Sequence, residues 1–244
     1  MYNNFISYNQ YKKDYVLNET YESYVELKKL VVDIKAKYFI KDFVENEIYY
    51  IKDIYKNDIN NFKVIKNFVN ADIGIIYTSK ILNMGDGSFM FPEDYEEYGK
   101  EILRETDDKL LQKYPLGILV IGMMHSTILL HELQHAYDYY RSRGKMNKSK
   151  NMNKYNEKLK QMLNKTISSE DFASFYYKSQ PELSSYFIQT INSLNLSRGN
   201  INDLYQEFKK NFNGYNYLTP KIKKSLTRKF FQYYHKIKET SETS

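Results

Sequence analysis

The residues best suited to chemistry in this chain form one short motif, His131-Glu132-Leu133-Gln134-His135. On an α-helix, residues four positions apart differ by about 40° in direction, so both imidazoles face one point. Two imidazole nitrogens directed at one point are the first two ligands that a zinc ion needs. Glu132 points about 100° away from His131, so it flanks such an ion and can take a proton from water there. The spacing therefore predicts a zinc site with a general base beside it.

The segment that carries the motif, Leu116–Arg143, is apolar on all sides until Leu130 and polar afterwards. We predict that it forms a single buried helix. An alternative interpretation is that His131 and His135 are ordinary core histidines. That interpretation leaves the Glu132 carboxylate ionised on a largely apolar helix, which costs several kcal/mol. The zinc interpretation is therefore favoured.

The third ligand has two candidates, because a chain without cysteine must complete a zinc site with histidine or carboxylate. Asp138 shares the helix face of the two histidines, since it lies only about 20° from the direction of His131. It could bind the metal or accept a hydrogen bond from a ligating imidazole. Glu182 follows Pro181, which marks the start of a later helix. A carboxylate at that position is also explained simply by the helix dipole, so the residues alone leave both candidates open.

A resemblance to a known family favours one of these two candidates for the third ligand. Residues 131–140, HELQHAYDYY, resemble the motif of gluzincin metallopeptidases, and most of all that of the catalytic domains similar to anthrax lethal factor. In that family a glutamate on a later apolar, aromatic helix is the third zinc ligand. Here Glu182 lies 182 − 135 = 47 residues after His135, beside Leu183, Tyr186 and Phe187. The resemblance covers roughly residues 129–187.

The resemblance also implies a role for each residue. The ligands of Zn²⁺ would be His131, His135 and Glu182, and the general base would be Glu132. Asp138 would not bind the metal but would accept a hydrogen bond from a ligating imidazole. A tyrosine shortly before the ligand glutamate stabilises the oxyanion in that family, and we assign this role to Tyr177 in preference to Tyr176. With 26 tyrosines in the chain, a tyrosine near a site is weak support by itself.

The pattern along the chain predicts an α+β fold that is mostly helical, a zincin-like domain with a small sheet before the HExxH helix. Residues 18–57 show helical spacing, Phe62–Leu82 is β-branched enough for a hairpin, and Ser88–Phe91 could add a short strand. Pro92 begins a further amphipathic helix. We divide the chain into an N-terminal helical region (1–60), a catalytic core (61–198) and C-terminal helices (199–244), packed as one unit.

Composition and charge place limits on the partners. The chain has 244 residues and a net charge of +6, but 20 residues, Thr219–Lys238, hold seven basic residues and no acid. The remainder has 36 − 7 = 29 basic against 30 acidic residues, so only the C-terminal end is basic. This end is either a terminal helix docked by its apolar face, which we favour, or a surface for an anionic lipid, nucleic acid or protein.

The sequence also bears on location. The N-terminus lacks the apolar core of a signal peptide, and the longest apolar run, Gly117–Leu130, is too short to span a bilayer. We expect a chain without a transmembrane segment that is cytoplasmic or virion-associated rather than secreted. The predicted function is zinc-dependent cleavage of peptide or protein substrates by a metallopeptidase, most simply an endopeptidase. The alternative is a non-enzymatic assembly protein, for example of a virion, built on a zincin-like fold and incorporated in a larger particle.

Overall fold

The structure is a computed structural model that describes residues 20–39, 47–55, 59–78, 87–90, 117–122, 125–142 and 148–242. Its contacts group into two compact units, one covering Thr20–Lys154 and the other containing Tyr155–Ser244. This division differs from the three regions expected from the sequence, and those regions stay a prediction. In the described part the architecture is α+β and mostly helical, with one four-stranded sheet, which confirms the coarse fold class. The zincin-like arrangement stays a prediction.

In its described part, the first unit combines this sheet with long helices and short helical turns. The sheet is mixed, with strand order β1-β2-β4-β3, and all of its strands precede the long helix that carries the HExxH motif. β1 pairs with β2 in antiparallel fashion, β2 pairs with β4 in parallel, and β3 pairs with β4 in antiparallel fashion. The elements are α1 (Tyr21–Phe39), β1 (Ile48–Tyr50), α2 (Ile51–Ile54), α3 (Lys66–Val69), β2 (Gly74–Tyr77), β3 (Gly87–Met90), β4 (Ile118–Ile121) and α4 (Ser126–Arg141).

The HExxH helix, α4, is held against this sheet and against α1. Leu129, Leu130 and Leu133 on α4 are buried, and α4 packs on both α1 and β3. Near the start of α4, the Lys35 ammonium of α1 donates a hydrogen bond of 2.8 Å to the Ser126 hydroxyl. Burial of these leucines contributes roughly 1.5–3 kcal/mol each relative to exposure. The helix that positions the histidines is therefore fixed by its apolar side.

Two predictions about this unit are wrong. The predicted hairpin in 62–82 is absent, because Phe62, Ile65, Phe68 and Val69 are the buried positions of its first half. Their spacing of three to four residues is helical, and the chain forms α3 there instead of a strand. The second half does form a strand, β2.

The predicted single helix over Leu116–Arg143 is also wrong, because its first part is the strand β4. All four residues of β4 are buried, and a strand buried on both faces has the same continuous apolar pattern as a buried helix. Gly117 precedes it with φ of 106°, a conformation that favours glycine. The long N-terminal helix is likewise shorter than expected, since β1 lies within 18–57. The strand expected at Ser88–Phe91 is confirmed as β3, whereas the helix expected from Pro92 lies outside the described residues.

The second unit is helical throughout its described part. Its elements are α5 (Lys148–Leu163, which begins in the first unit), α6 (Ser169–Tyr177), α7 (Gln180–Ser193), α8 (Ile201–Asn211) and α9 (Pro220–Glu242). Ser168 caps α6 through a reciprocal pair of hydrogen bonds with Asp171. Ser179 is the N-cap of α7, and Pro181 lies in the first turn, as the sequence predicted.

The basic C-terminal helix, α9, is docked by its apolar face within this unit. Leu226, Phe230 and Tyr233 are buried. The ring of Phe230 lies 5.1 Å from that of Phe208 on α8. Lys221, Lys224 and Arg228 are exposed on the opposite side of α9. This agrees with the docked interpretation of the charge run, while an anionic partner for the exposed side stays a prediction.

Long-range hydrogen bonding by one carboxylate supports the turn that replaces the predicted strand. The Glu26 side chain of α1 accepts backbone N–H bonds from Lys63 (2.8 Å), Val64 (2.9 Å) and Ile65 (2.9 Å). These donors immediately precede α3, where backbone N–H groups have no partner within the helix.

We therefore expect Glu26→Ala to destabilise the chain by about 1–2 kcal/mol, lowering Tm by about 2–8 °C. Thermal denaturation followed by circular dichroism measures this. Lys28→Ala, at an exposed position of the same helix, is the control, and an equal loss in both variants would contradict the capping role.

Candidate metal centre

Helix α4 directs the two histidines of the motif at a common point. The Nε2 atoms of His131 and His135 are 3.0 Å apart, and the ring centroids are 4.7 Å apart at an interplanar angle of 75°. His131 is only 8% exposed, whereas His135 is half-buried and open on one side. The spacing of four residues thus produces the convergence predicted for it.

Glu182 is the third member of this group. One ligand atom from each of His131, His135 and Glu182 lies within 4.8 Å of the others, so these residues could hold a metal ion. Within the described part of the chain Asp138 does not belong to the group. Of the two candidates that the sequence left open, the structure therefore brings Glu182, and not Asp138, together with the histidines. The supporting role predicted for Asp138 stays a prediction.

The three donors fit a zinc ion in type, and the two imidazoles also fit it in spacing. Two imidazole nitrogens and one carboxylate oxygen are a common protein ligand set for zinc, in which a fourth position stays open. A tetrahedral ion bound at about 2.0–2.1 Å holds two ligand nitrogens roughly 3.3 Å apart, close to the observed separation of the Nε2 atoms. The same donors also suit other divalent transition metals, so the ligand set alone does not identify the metal.

The local sequence explains why Glu182 lies where it does. It occupies the third position of α7, after Ser179 as N-cap, so it is in the first turn. The positive end of the helix dipole favours an ionised carboxylate there by about 0.3–1 kcal/mol. Its Oε2 atom is buried from solvent. The first turn of α7 therefore fixes the place of the carboxylate.

Tyr176 is the tyrosine that contacts this carboxylate. Burial raises the pKa of the Tyr176 phenol well above its usual value, and the negative charge of Glu182 raises it further, as does the contact with Tyr186. The Tyr176 hydroxyl shares hydrogen bonds with the Glu182 carboxylate and the Tyr186 hydroxyl. Since its pKa is raised, Tyr176 stays neutral and retains its proton as a hydrogen-bond donor at every working pH.

Tyr177, the tyrosine preferred from the sequence, has different neighbours. Its ring stacks on that of Tyr217 at 5.9 Å with an interplanar angle of 3°, and it lies 5.5 Å from the ring of Tyr186. It also packs against Gly214. The oxyanion role of Tyr177 stays a prediction, but the placement favours Tyr176 as the residue acting with Glu182. Sequence reasoning could not separate two adjacent tyrosines, because their difference of about 100° in direction matters only once the neighbouring helix is placed.

Glu132, the predicted general base, is buried beside the sheet. It is 8% exposed, and its Cγ atom lies close to Gly87 of β3. It does not belong to the group of metal-ligating residues in the described part of the chain. Its position one residue after His131 on α4 places it to the side of the two imidazoles, as the helix geometry predicted.

Comparison with known proteins adds no support from relatives. No protein-family profile matches the chain, and neither curated proteins nor solved structures gave a match. The resemblance to gluzincins therefore stays a prediction that depends on the motif and on the residues around it. Among the residues that the structure describes, no helix is both long and apolar enough to cross a membrane.

The metal-ligand group leads to a direct test of Glu182 against Asp138. We expect Glu182→Gln to weaken zinc binding by more than about 100-fold, because it removes an anionic ligand. Asp138→Asn should weaken binding by about 10–100-fold at most, the usual effect of a residue that only supports a ligand. Competition with a chromophoric zinc chelator measures both affinities. Glu170→Gln, an exposed carboxylate on α6, should leave the affinity unchanged. A larger loss for Asp138→Asn than for Glu182→Gln would exchange the two roles.

Proposed function

We propose that this protein is a zinc-dependent peptidase of the gluzincin type, in which His131, His135 and Glu182 hold the ion. The observation that carries the proposal is the group of these three residues, whose ligand atoms lie within 4.8 Å of one another. Zinc is favoured among the metals because two imidazoles and one carboxylate are a common set of ligands for catalytic zinc, and a chain without cysteine can offer zinc only such ligands. A zinc ion in such a site supplies Lewis-acid chemistry, since it polarises a carbonyl and makes water more acidic.

Glu132 has the role of moving the proton. Its carboxylate flanks the two imidazoles, where it can accept a proton from the attacking water and then deliver it to the leaving amine. Burial supports this role, because the side chain is only 8% exposed and bulk water has little access to it. In the alternative interpretation, an assembly protein on a similar scaffold, Glu132 has no chemical task.

Tyr176 holds the ligand carboxylate of Glu182. Its neutral hydroxyl donates to that carboxylate and is linked to Tyr186. A hydrogen bond keeps a ligating carboxylate in one orientation. A residue that makes such a bond therefore raises the affinity for the metal without binding the metal itself. We therefore assign Tyr176, in place of Tyr177, as the tyrosine on which the site depends.

Strand β3 is the place where a peptide substrate would bind. It lies at the end of the described sheet, next to β4 on one side, and it packs against α4 near Glu132. An extended peptide can add to such an edge through main-chain hydrogen bonds, which recognise the backbone with little regard to sequence. We therefore take β3 as the proposed binding strand.

The first test of the function is Glu132→Gln. We expect zinc binding to persist and peptide cleavage to fall by about 10²–10⁴-fold, because an amide cannot accept the proton. Cleavage of a peptide library by the zinc-loaded wild-type chain, followed by mass spectrometry, identifies a substrate for this comparison. A wild-type chain that binds zinc tightly and cleaves nothing in the library would overturn the peptidase proposal and favour the non-enzymatic alternative.

The second test separates the two adjacent tyrosines. We expect Tyr176→Phe to weaken zinc binding by about 10-fold or more and to lower kcat/KM, because the Glu182 carboxylate loses a donor. Tyr177→Phe keeps the ring that stacks on Tyr217 and should change both quantities less than 2-fold. Chelator competition and steady-state kinetics measure the two effects. The reverse order of the two variants would restore Tyr177 as the important residue.

A further inference from the structure

One glycine of the edge strand lies against the proposed general base. A Cβ atom built on Gly87 of β3 would lie 2.7 Å from Ile128 Cγ2, 3.2 Å from Glu132 Cγ and 3.5 Å from Ile121 Cδ1. The first distance is shorter than carbon atoms tolerate, and the second leaves almost no clearance. Gly87 has no positive φ, so its backbone conformation does not require glycine. Close approach to α4 is therefore the reason for a glycine at this position.

The strand and the helix are both held at this contact. Gly87 is paired with Ile121 and Phe89 with Leu119 in the antiparallel β3–β4 ladder. Two residues further along β3, the Phe89 ring lies 6.0 Å from the ring of Tyr139 on α4. Ile128 is β-branched, so its χ1 angle has one strongly preferred value in a helix. Neither side of the contact can move aside without disturbing a packed neighbour.

From this packing we infer that Gly87 is a positioning residue for Glu132, an inference that rests on the proposed peptidase function. The missing side chain allows β3 to lie directly beside the Glu132 stem, and the strand then limits the directions that the carboxylate can take. The same strand is the proposed site for the substrate backbone. Gly87 thus sets the separation between the bound peptide and the base that serves it.

The size of the effect follows from the tolerance of catalytic geometry. Gly87→Ala must separate β3 from α4 or turn the Ile128 side chain, because the 2.7 Å contact with Ile128 cannot persist, and the 3.2 Å contact also presses on the Glu132 stem. A misplacement of about 1 Å is enough to lower a reaction rate by about 100-fold. The ligands His131 and His135 remain on the intact helix, so zinc binding should stay within about 3-fold of the wild type. The loss should appear in kcat more than in KM.

The decisive experiment is a rescue through Ile128. Ile128→Ala removes the Cγ2 atom that an alanine at position 87 would strike. The double variant Gly87→Ala/Ile128→Ala should therefore have a kcat within about 5-fold of Ile128→Ala alone, whereas Gly87→Ala falls about 10–100-fold below the wild type. Lys28→Ala, at an exposed position of α1 and outside the proposed site, is the control and should remain within 2-fold. Because the double variant relieves the contact, it should fold even where Gly87→Ala does not.

A second readout does not depend on turnover. The visible spectrum of the cobalt-loaded chain reports the surroundings of the metal, and Glu132→Gln provides the reference for a site without its base. Gly87→Ala should move this spectrum in the direction of Glu132→Gln, while the intensity typical of the ligand set is retained.

The outcomes separate this inference from the proposed function. Wild-type kinetics and spectrum in Gly87→Ala would overturn the positioning role, as would loss of metal or failure of Ile128→Ala to restore kcat. If the wild-type chain cleaves no peptide, the peptidase proposal fails, and the cobalt spectra still decide whether Gly87 controls the placement of Glu132.

Discussion

Two imidazole nitrogens that face each other at 3.0 Å on a buried helix impose the central constraint on this molecule. Without a cation, one Nε2 atom must carry a proton and the other a lone pair, so the two rings must be opposite tautomers. If both rings were protonated, two positive charges would meet in surroundings where His131 is nearly inaccessible to water. A divalent ion resolves this, because it accepts a lone pair from each nitrogen. Because the two rings converge, the carboxylate of Glu182 is placed where it could be a third ligand for such an ion.

The fold supports this arrangement by fixing α4 along its length. Buried leucines hold the helix on its apolar side, Lys35 reaches Ser126 near its start, and Phe89 packs on Tyr139 near its end. Since packed interiors deform little, a helix held in this way presents His131, Glu132 and His135 in one fixed orientation. Accuracy of this kind is what a metal site and a general base both require.

The parts of the site that the sequence predicts are those set by helix geometry alone. The convergence of His131 and His135 follows from a spacing of four residues and needs no knowledge of the rest of the chain. The sequence predicts Glu182 as a candidate for the third ligand because Pro181 marks the start of its helix. The spacing of the residues could not exclude Asp138 from the same role. The sequence named Tyr176 only as the less favoured of two adjacent tyrosines, and it gave no sign of a role for Gly87. Their importance depends on which neighbour lies within a few ångströms, and no periodic pattern encodes that distance.

The errors in the fold have a common physical origin. Strand β4 and the start of α4 form one apolar run, because a central strand and a buried helix both exclude water on all sides. The segment around Phe62 and Ile65 is rich in β-branched and aromatic residues, yet a carboxylate from α1 satisfies its backbone N–H groups and favours a turn. In both places a partner distant in sequence decides between two local conformations of similar propensity.

The charge at Glu182 shows how local and distant effects combine at the site. The dipole of α7 stabilises its carboxylate by only about 0.3–1 kcal/mol, whereas withdrawing a carboxylate from water costs several kcal/mol. The Tyr176 hydroxyl contributes one charge-assisted hydrogen bond, about 1.5–3 kcal/mol. Structural zinc sites contribute about 10 kcal/mol or more at neutral pH, well above these values. The proposed cation would be the strongest stabilising interaction for a buried Glu182 oxygen close to two convergent imidazoles.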